Sequence, residues 1–424
     1  MFIAQFKKVF EQTSYLRYWL AYTLSAIGFE LIQFVLMVVL FDSMKTALSM
    51  GTFTAIFMFC LVMFGPIAGI CVDRWERKKI FIACNVLLAI LIFTLKYLHE
   101  AFWLYLLWFF TSLLLTFLRP VRVALITNLF PKEDYFKANS SFMISLNLSK
   151  ISGPLIGGFL ILSLPMEWVF NIIVSFFCLS LISVSTLHFR SSSLESFNQE
   201  RANLNWRDFI TGISFILSHK GLRFYIIIGF FWRLFLASQL PLFIVYIKNY
   251  FGGSTREYSL FMTILALGGA IGSFLAGSIE NLCSRKMMVY GGLGASYLFF
   301  ALLPISKNFL FALMLIGLSN LFFYIAHVAI HSEIQQITPN EIRGKVFASS
   351  PTLLIPIGIF SIFIATPLAD RVGAEWIFLF SGLMALATLP WVGYLSEAFG
   401  KVFQPLPKER TGLRRSPNDS FNLM

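Results

Sequence analysis

Long apolar runs alternate with short polar interruptions along almost the whole chain. They occupy residues 17–41, 51–72, 79–98, 101–127, 139–163, 167–189, 222–247, 257–280, 286–305, 308–333, 344–369 and 374–399. Each is close to the roughly 20 residues that cross about 30 Å of hydrocarbon as a helix. The pattern predicts an all-α membrane protein with twelve transmembrane helices, spans 1 to 12, and an even count puts both termini on one face. The only long polar interruption, Arg190 to Arg223, divides the spans six and six. The expected units are a six-helix bundle over 1–189, a central loop over 190–221, a second bundle over 222–400 and a basic tail over 401–424. Apolar spacing from Trp206 to Lys220 suits either a short amphipathic helix on the membrane surface or a plain linker. The tail holds three prolines and is expected to be disordered.

Composition supports this pattern. Hydrophobic residues make up 58% of the chain, mean hydropathy is +0.77 and only 13% of residues are charged, against about 25% in soluble domains. A net charge of +12 would suit nucleic acid if the basic residues clustered, but they are dispersed among short loops. With both termini placed inside, 23 of the 33 Lys and Arg fall on inner segments, six on outer loops and four within spans. That bias orients the chain with both termini in the cytoplasm of a bacterial inner membrane, and nucleic-acid binding is not expected. Lys7, Lys8 and Arg17 precede an apolar run too long for a signal peptide and without a small-residue cleavage site, so span 1 is expected to be retained. The five cysteines show no C-x-x-C spacing, and neither disulfides, a metal nor a cofactor is implied.

A local pattern then recurs 208 residues apart. Gly69, Asp73, Arg74, Arg77 and Lys78 follow span 2, and Gly277, Asn281, Leu282, Arg285 and Lys286 follow span 8 at the same offsets. Pro131 and Glu133 recur as Pro339 and Glu341. The chain is two copies of one unit, a 6+6 pseudo-twofold repeat, and duplicated membrane halves are the signature of secondary transporters whose site lies where the halves meet.

Twelve spans, a central loop and the Gly69–Lys78 signature together resemble the major facilitator superfamily over about residues 15–400. Within it the chain looks like the bacterial efflux branch of macrolide exporters and the enterobactin exporter. The supporting runs are Phe64–Lys79, Thr338–Val346 and Ala369–Gly373. The resemblance implies that Gly69, Asp73, Arg74, Arg77 and Lys78 latch the inner gate when the transporter faces outward. Asp73 would accept bonds from the free amides at a neighbouring helix N-terminus, with the cations pairing to it and to lipid phosphates. In the second copy, Asn281, Arg285 and Lys286 should latch more weakly, because Asp and Arg have become Asn281 and Leu282. A role in topology alone is the alternative. Gly153, Pro154 and Gly157 in span 5 match the end of the family's antiporter motif, but Ser140 and Ser149 stand where its earlier glycines would be. Close packing with a local bend and a specific antiport role are both open for these three.

Charged residues inside spans cost about 2.5–3.5 kcal/mol each on insertion scales and call for a reason. Glu30 lies 13 residues past Arg17, roughly 20 Å deep. Arg119 and Arg122 lie in the inner half of span 4, Lys150 in span 5, Arg233 in span 7, and His327, the repeat partner of Arg119, in span 10. In the family this chain resembles, spans 1, 4, 7 and 10 line the central cavity, and Glu30, Arg119, Arg233 and His327 fall one on each. Glu30 is the only deep carboxylate and the first candidate for proton coupling; the alternative is a fixed salt bridge to Arg119 or Arg233. His327 is the second candidate, since imidazole titrates near neutral pH unaided; a merely hydrogen-bonded histidine is the alternative. His331 and Glu333 read as surface residues. Excess positive charge at Arg119, Arg122, Lys150 and Arg233 favours an anionic solute, with Trp232 and neighbouring aromatics as candidates to stack on it or simply to pack.

These readings point to a secondary active transporter: proton-coupled efflux of a bulky or anionic small molecule, siderophore-like or a drug, by alternating access. The same fold would also serve an uptake symporter for a ferric siderophore or organic anion. A membrane enzyme is the remote alternative, and the sequence has no H-x-x-x-x-D motif, paired His/Cys set or plausible Ser–Lys dyad. The expected partners are a small-molecule substrate, protons and lipid, and a monomer is expected.

Overall fold

A computed structural model describes residues 13–97, 100–129, 135–186, 206–280 and 282–395. The described residues are helical throughout, with short connections. The first half comprises α1 (Thr13–Met44), α2 (Ala47–Arg74), α3 (Arg77–Leu95), α4 (Ala101–Leu129), α5 (Tyr135–Ser163) and α6 (Met166–Ser185). A short helix, α7 (Trp206–Ser218), leads into the second half: α8 (Lys220–Leu236), α9 (Gln239–Val245) running into a π-turn at Tyr246–Tyr250, α10 (Thr255–Ile279), α11 (Arg285–Leu302), α12 (Phe309–Ile337), α13 (Asn340–Val372) and α14 (Ala374–Thr388).

Short polar connections start and stop these helices. Thr46 caps α2 by accepting from the Ser49 amide, Ser284 caps α11 from the Met287 amide, and Ser254 with Glu257 forms a capping box on α10. Gly373, at φ +96°, makes the reversal between α13 and α14, a conformation that costs glycine little. Eleven of the described helices are long and apolar enough to cross a membrane. The twelfth span departs from its expected continuity. α14 stops at Thr388, a turn at 389–390 follows, and helix resumes at 391–395. Pro390 offers no amide to the ladder at that point.

Within the first half α1 packs on α5 and α6, and α4 on α2 and α3; within the second, α12 packs on α10 and α11. The amphipathic segment is a helix. Ile216 of α7 is buried with Leu222 and Val346, and Gly212 lies against Ser349 and the Lys345 carbonyl. α7 is therefore docked on α13.

The halves meet along two seams, α2 with α13 and α5 with α10. Their contacts obey the repeat. Gly51 meets Thr366, while Ser259, the repeat partner of Gly51, meets Gly158, the repeat partner of Thr366. One face carries Arg17, Arg74, Arg77, Lys78, Lys220, Arg285 and Lys286 and is called the basic face below. The seam contacts cluster toward the opposite face. There the Asp370 carboxylate accepts from the amides of Ala47 (2.6 Å) and Leu48 (3.0 Å). Lys248 pairs with Asp42, the Ser259 hydroxyl donates to the Pro154 carbonyl at 2.7 Å, and Phe34 stacks on Tyr258 at 5.2 Å.

Toward the basic face the α2–α13 seam parts. Gly69 lies eighteen residues after Gly51, about five turns and so on the same side of α2. Gly344 stands in the same relation to Ile362, which also contacts Gly51. Among the described residues, nothing lies within 4 Å of where a side chain would begin at Gly65, Gly69 or Gly344. The two helices form a wedge, closed on the opposite face and open on the basic one.

Candidate functional site: a polar chamber between the halves

The wedge opens onto the charged residues that stand inside the spans. Lys150, Arg119 and Arg122 are the cations whose charge bears on the Glu30 carboxylate. Lys150 and Arg119 are both exposed although they lie within apolar spans. Both also act electrostatically on Glu30, so we read their exposure as facing a chamber between helices and not lipid. Gly153 puts Glu30 in place: a Cβ at 153 would lie 2.5 Å from the Glu30 Cβ, so α5 and α1 touch backbone to backbone there. Lys150 lies one turn before Gly153 on the same helix face.

On the other half, His327 has His331, Lys150 and Arg233 as its charged and titratable neighbours. Lys150 is thus the group shared by both halves. Arg119 and Lys150 lie within electrostatic reach of Glu30, and His327 lies within reach of both Lys150 and Arg233. Arg233 is not among the groups acting on Glu30. The fixed salt bridge is not formed either: among the described residues no cation lies within 4.0 Å of the Glu30 carboxylate.

The deep cations rest on aromatic rings instead of acids. Arg119 lies 5.8 Å from the Phe57 ring, Arg122 5.2 Å from Tyr22 and Arg233 4.8 Å from Trp232. Each such contact is worth about 0.5–2 kcal/mol, more as water is excluded. In the second half the rings form a column. Trp232 stacks on Phe323 (5.4 Å), Phe323 leans on His327 (5.5 Å), His327 on His331 (4.4 Å) and His331 on Phe347 (6.1 Å). Trp232 is held by this packing and carries Arg233. His331, read from the sequence as a surface residue, is exposed but belongs to this column. The missed signal is its spacing of four residues from His327.

Arg122 departs from its expected substrate-binding role. It is 7% exposed, donates to the Ser25 hydroxyl (3.0 Å), and Ser25 donates to Asn85 Oδ1 (3.0 Å), which ties α4, α1 and α3 together. Asn85 and Ser25 were missed because neither carries charge. Asn320, also missed, donates to the Leu265 carbonyl at 2.6 Å where α12 crosses α10.

The residues of the Gly69–Lys78 signature and of its repeat occupy the basic face. Arg77 is buried and donates to the Ala124 carbonyl at 2.8 Å, and Lys78 donates to the Ser185 carbonyl at 3.3 Å. Lys78 sits where the C-terminus of α6 is partly negative, while Arg77 reaches a carbonyl about one turn short of the end of α4. In the second repeat Arg285 reaches Glu333 (2.6 Å), Gln336 (2.7 Å) and Glu280 (3.1 Å). Glu333 is therefore the partner of Arg285 and not a free surface acid. Arg74 and Lys286 are exposed. Asn281 lies outside the described residues, as does the side chain of Asp73, which stands one residue before the end of α2. Gly157 packs on Phe34, and Pro154 lies within a helix that runs unbroken from Tyr135 to Ser163.

Comparison with known proteins fixes the family. A model described as Major Facilitator Superfamily matches residues 18–353. The chain belongs to the major facilitator superfamily. Macrolide efflux protein A of Streptococcus pyogenes is 25% identical over 383 residues, covering 87% of this chain and 92% of that protein. Macrolide efflux protein A of Enterococcus faecalis is 27% identical over 312 residues, covering 70% and 94%. Among solved structures, a bacterial homolog of the human lysosomal transporter Spinster, inward-facing and unoccupied, aligns with a TM-score of 0.66 at 15% identity, over 93% of this chain and 98% of that one. The fold is that of these transporters, and the protein is a multi-pass membrane transporter and not an enzyme.

Proposed function

We propose that this transporter exports a bulky small molecule across the bacterial cytoplasmic membrane in exchange for protons, with its basic face and both termini in the cytoplasm. The observation that carries this reading is a single carboxylate, Glu30, free of any closed ion pair among the described residues, in a chamber that also holds Arg119, Lys150 and Arg233. Such a group can hold either a proton or a donor group of the solute. Acidic or electron-rich parts of the same solute would rest on Arg119, Lys150 and Arg233. The chamber faces the cytoplasm in the state described, where an exporter loads. On this reading the cations of the gate signature pair with Asp73 when the wedge reverses.

The sign of coupling separates export from uptake. Affinity effects between two ligands are reciprocal. A solute that places a cation or hydrogen-bond donor on Glu30 excludes the proton, and the two are exchanged. A solute held only through its own acid competes with Glu30 for Lys150, binds better once Glu30 is protonated and travels with the proton. That second case is uptake of an organic anion or ferric siderophore. The relatives named for macrolide efflux favour the first; excess positive charge in the chamber favours an acid-bearing solute such as a siderophore.

Inverted vesicles separate the readings. Acidifying the lumen should drive accumulation of an exported solute, and the Glu30→Gln variant should lose that response while still binding the solute. A Glu30→Gln variant that transports with normal pH dependence would remove Glu30 from the mechanism. Comparing culture supernatants with and without the protein, at low and high iron, distinguishes a siderophore from a drug-like solute.

A further inference from the structure

We propose that Asp370 and the N-terminus of α2 form an electrostatic latch that holds the face opposite the basic one closed. Both carboxylate oxygens are used, one on the Ala47 amide at 2.6 Å and one on the Leu48 amide at 3.0 Å. These amides belong to the first turn of α2, whose donors have no partner within the helix, at the positive end of its dipole. Asp370 sits in the last turn of α13, in the other half of the molecule. The contact therefore exists only while the halves touch on this face.

Three further features place the latch at a moving joint. The α2–α13 seam is tight beside it, where Gly51 meets Thr366 and Ile362, and open at Gly65, Gly69 and Gly344. The Lys248–Asp42 pair crosses between the halves on the same face. Asp370 is also exposed, so its carboxylate can be rehydrated when the contact breaks and leaves no buried charge behind. α2 and α13 then act as a seesaw. At one end a carboxylate of α13 docks on the start of α2; at the other the two helices stand apart, at Gly69 of α2 and Gly344 of α13. The latch depends neither on Glu30 nor on the identity of the solute, so it stands or falls separately from the export reading.

The test is a pair of distance measurements in lipid nanodiscs, on a full-length chain whose five cysteines have been replaced. Spin labels at Tyr97→Cys and Lys307→Cys report the latched face, and labels at Trp75→Cys and Leu282→Cys report the basic face. Asp370→Asn weakens the acceptor. Ala47→Pro removes one donor at the first helical position, where proline is tolerated. In both variants the long-distance population on the latched face should rise roughly ten-fold, as expected for losing charge-assisted hydrogen bonds, and the basic-face distances should shorten together with it. Distributions unchanged in both variants would overturn the latch. So would a shift in only one of them, or opening of the latched face with no response on the basic face. Elution as a single folded species with unchanged helix content separates a misfolded variant from a shifted one, and Ala47→Pro serves if Asp370→Asn fails to fold.

Discussion

At the scale of single residues, the chamber solves a solvation problem in two ways. Arg119, Arg122 and Arg233 lie over aromatic rings, with no acid within 4.0 Å among the described residues. Among the described residues Glu30 has no cation within 4.0 Å, and that leaves its carboxylate available. Arg122 belongs to a chain of hydrogen bonds through Ser25 to Asn85, and Ser25 is its hinge. Ser25→Ala should leave Arg122 and Asn85 each short of a partner and cost about 1–3 kcal/mol. This reads as a lower melting temperature in detergent, with transport per folded molecule unchanged. Gly153→Leu should behave in the opposite way. Its side chain would press on the backbone of Glu30 and part α5 from α1, so transport should fall while much of the folded population remains. A Gly153→Leu variant with full activity would separate this contact from function.

At the scale of elements, helices were the most legible feature. A bilayer demands long apolar stretches whose backbone bonds are satisfied internally, and hydropathy reads that demand directly. The break at Thr388–Pro390 was hidden because the apolar run continues through it. The helix that carries each of Glu30, Arg119, Lys150, Arg233 and His327 followed from the apolar runs. What they rest on did not: the rings under the arginines come from other helices, and abundant phenylalanine gives no hint of which ones. Asp370 was seen only as part of a family string, since its docking on Ala47 and Leu48 depends on a partner helix 323 residues away. The repeat yields an element-scale prediction. Gly51→Val and Gly158→Val block equivalent seam contacts on the face opposite the basic one. Each should raise labelling of cysteines on that face by a membrane-impermeant thiol reagent, and to a similar degree. A large effect from one and none from the other would contradict the symmetric seam.

At the scale of the whole molecule, two halves related by a 208-residue repeat enclose a chamber open toward the face with most of the positive charge. Alternating access then means reversing one wedge: the seams around Gly51 and Gly158 part while those around Gly69 and Gly344 close. Substrate identity was never legible, because on the proposed reading recognition falls to chamber shape and to a few cations that suit many acids. The account's central claim is that side chains from both halves face one another across water in that chamber. It is tested most directly by placing cysteines at Lys150 and His327 together in a cysteine-free chain and adding a short bis-maleimide from the basic face. The account predicts that the two positions cross-link in inside-out vesicles. Cysteines that stay unlabelled from that face, or that label but never join, would show that no shared chamber exists there.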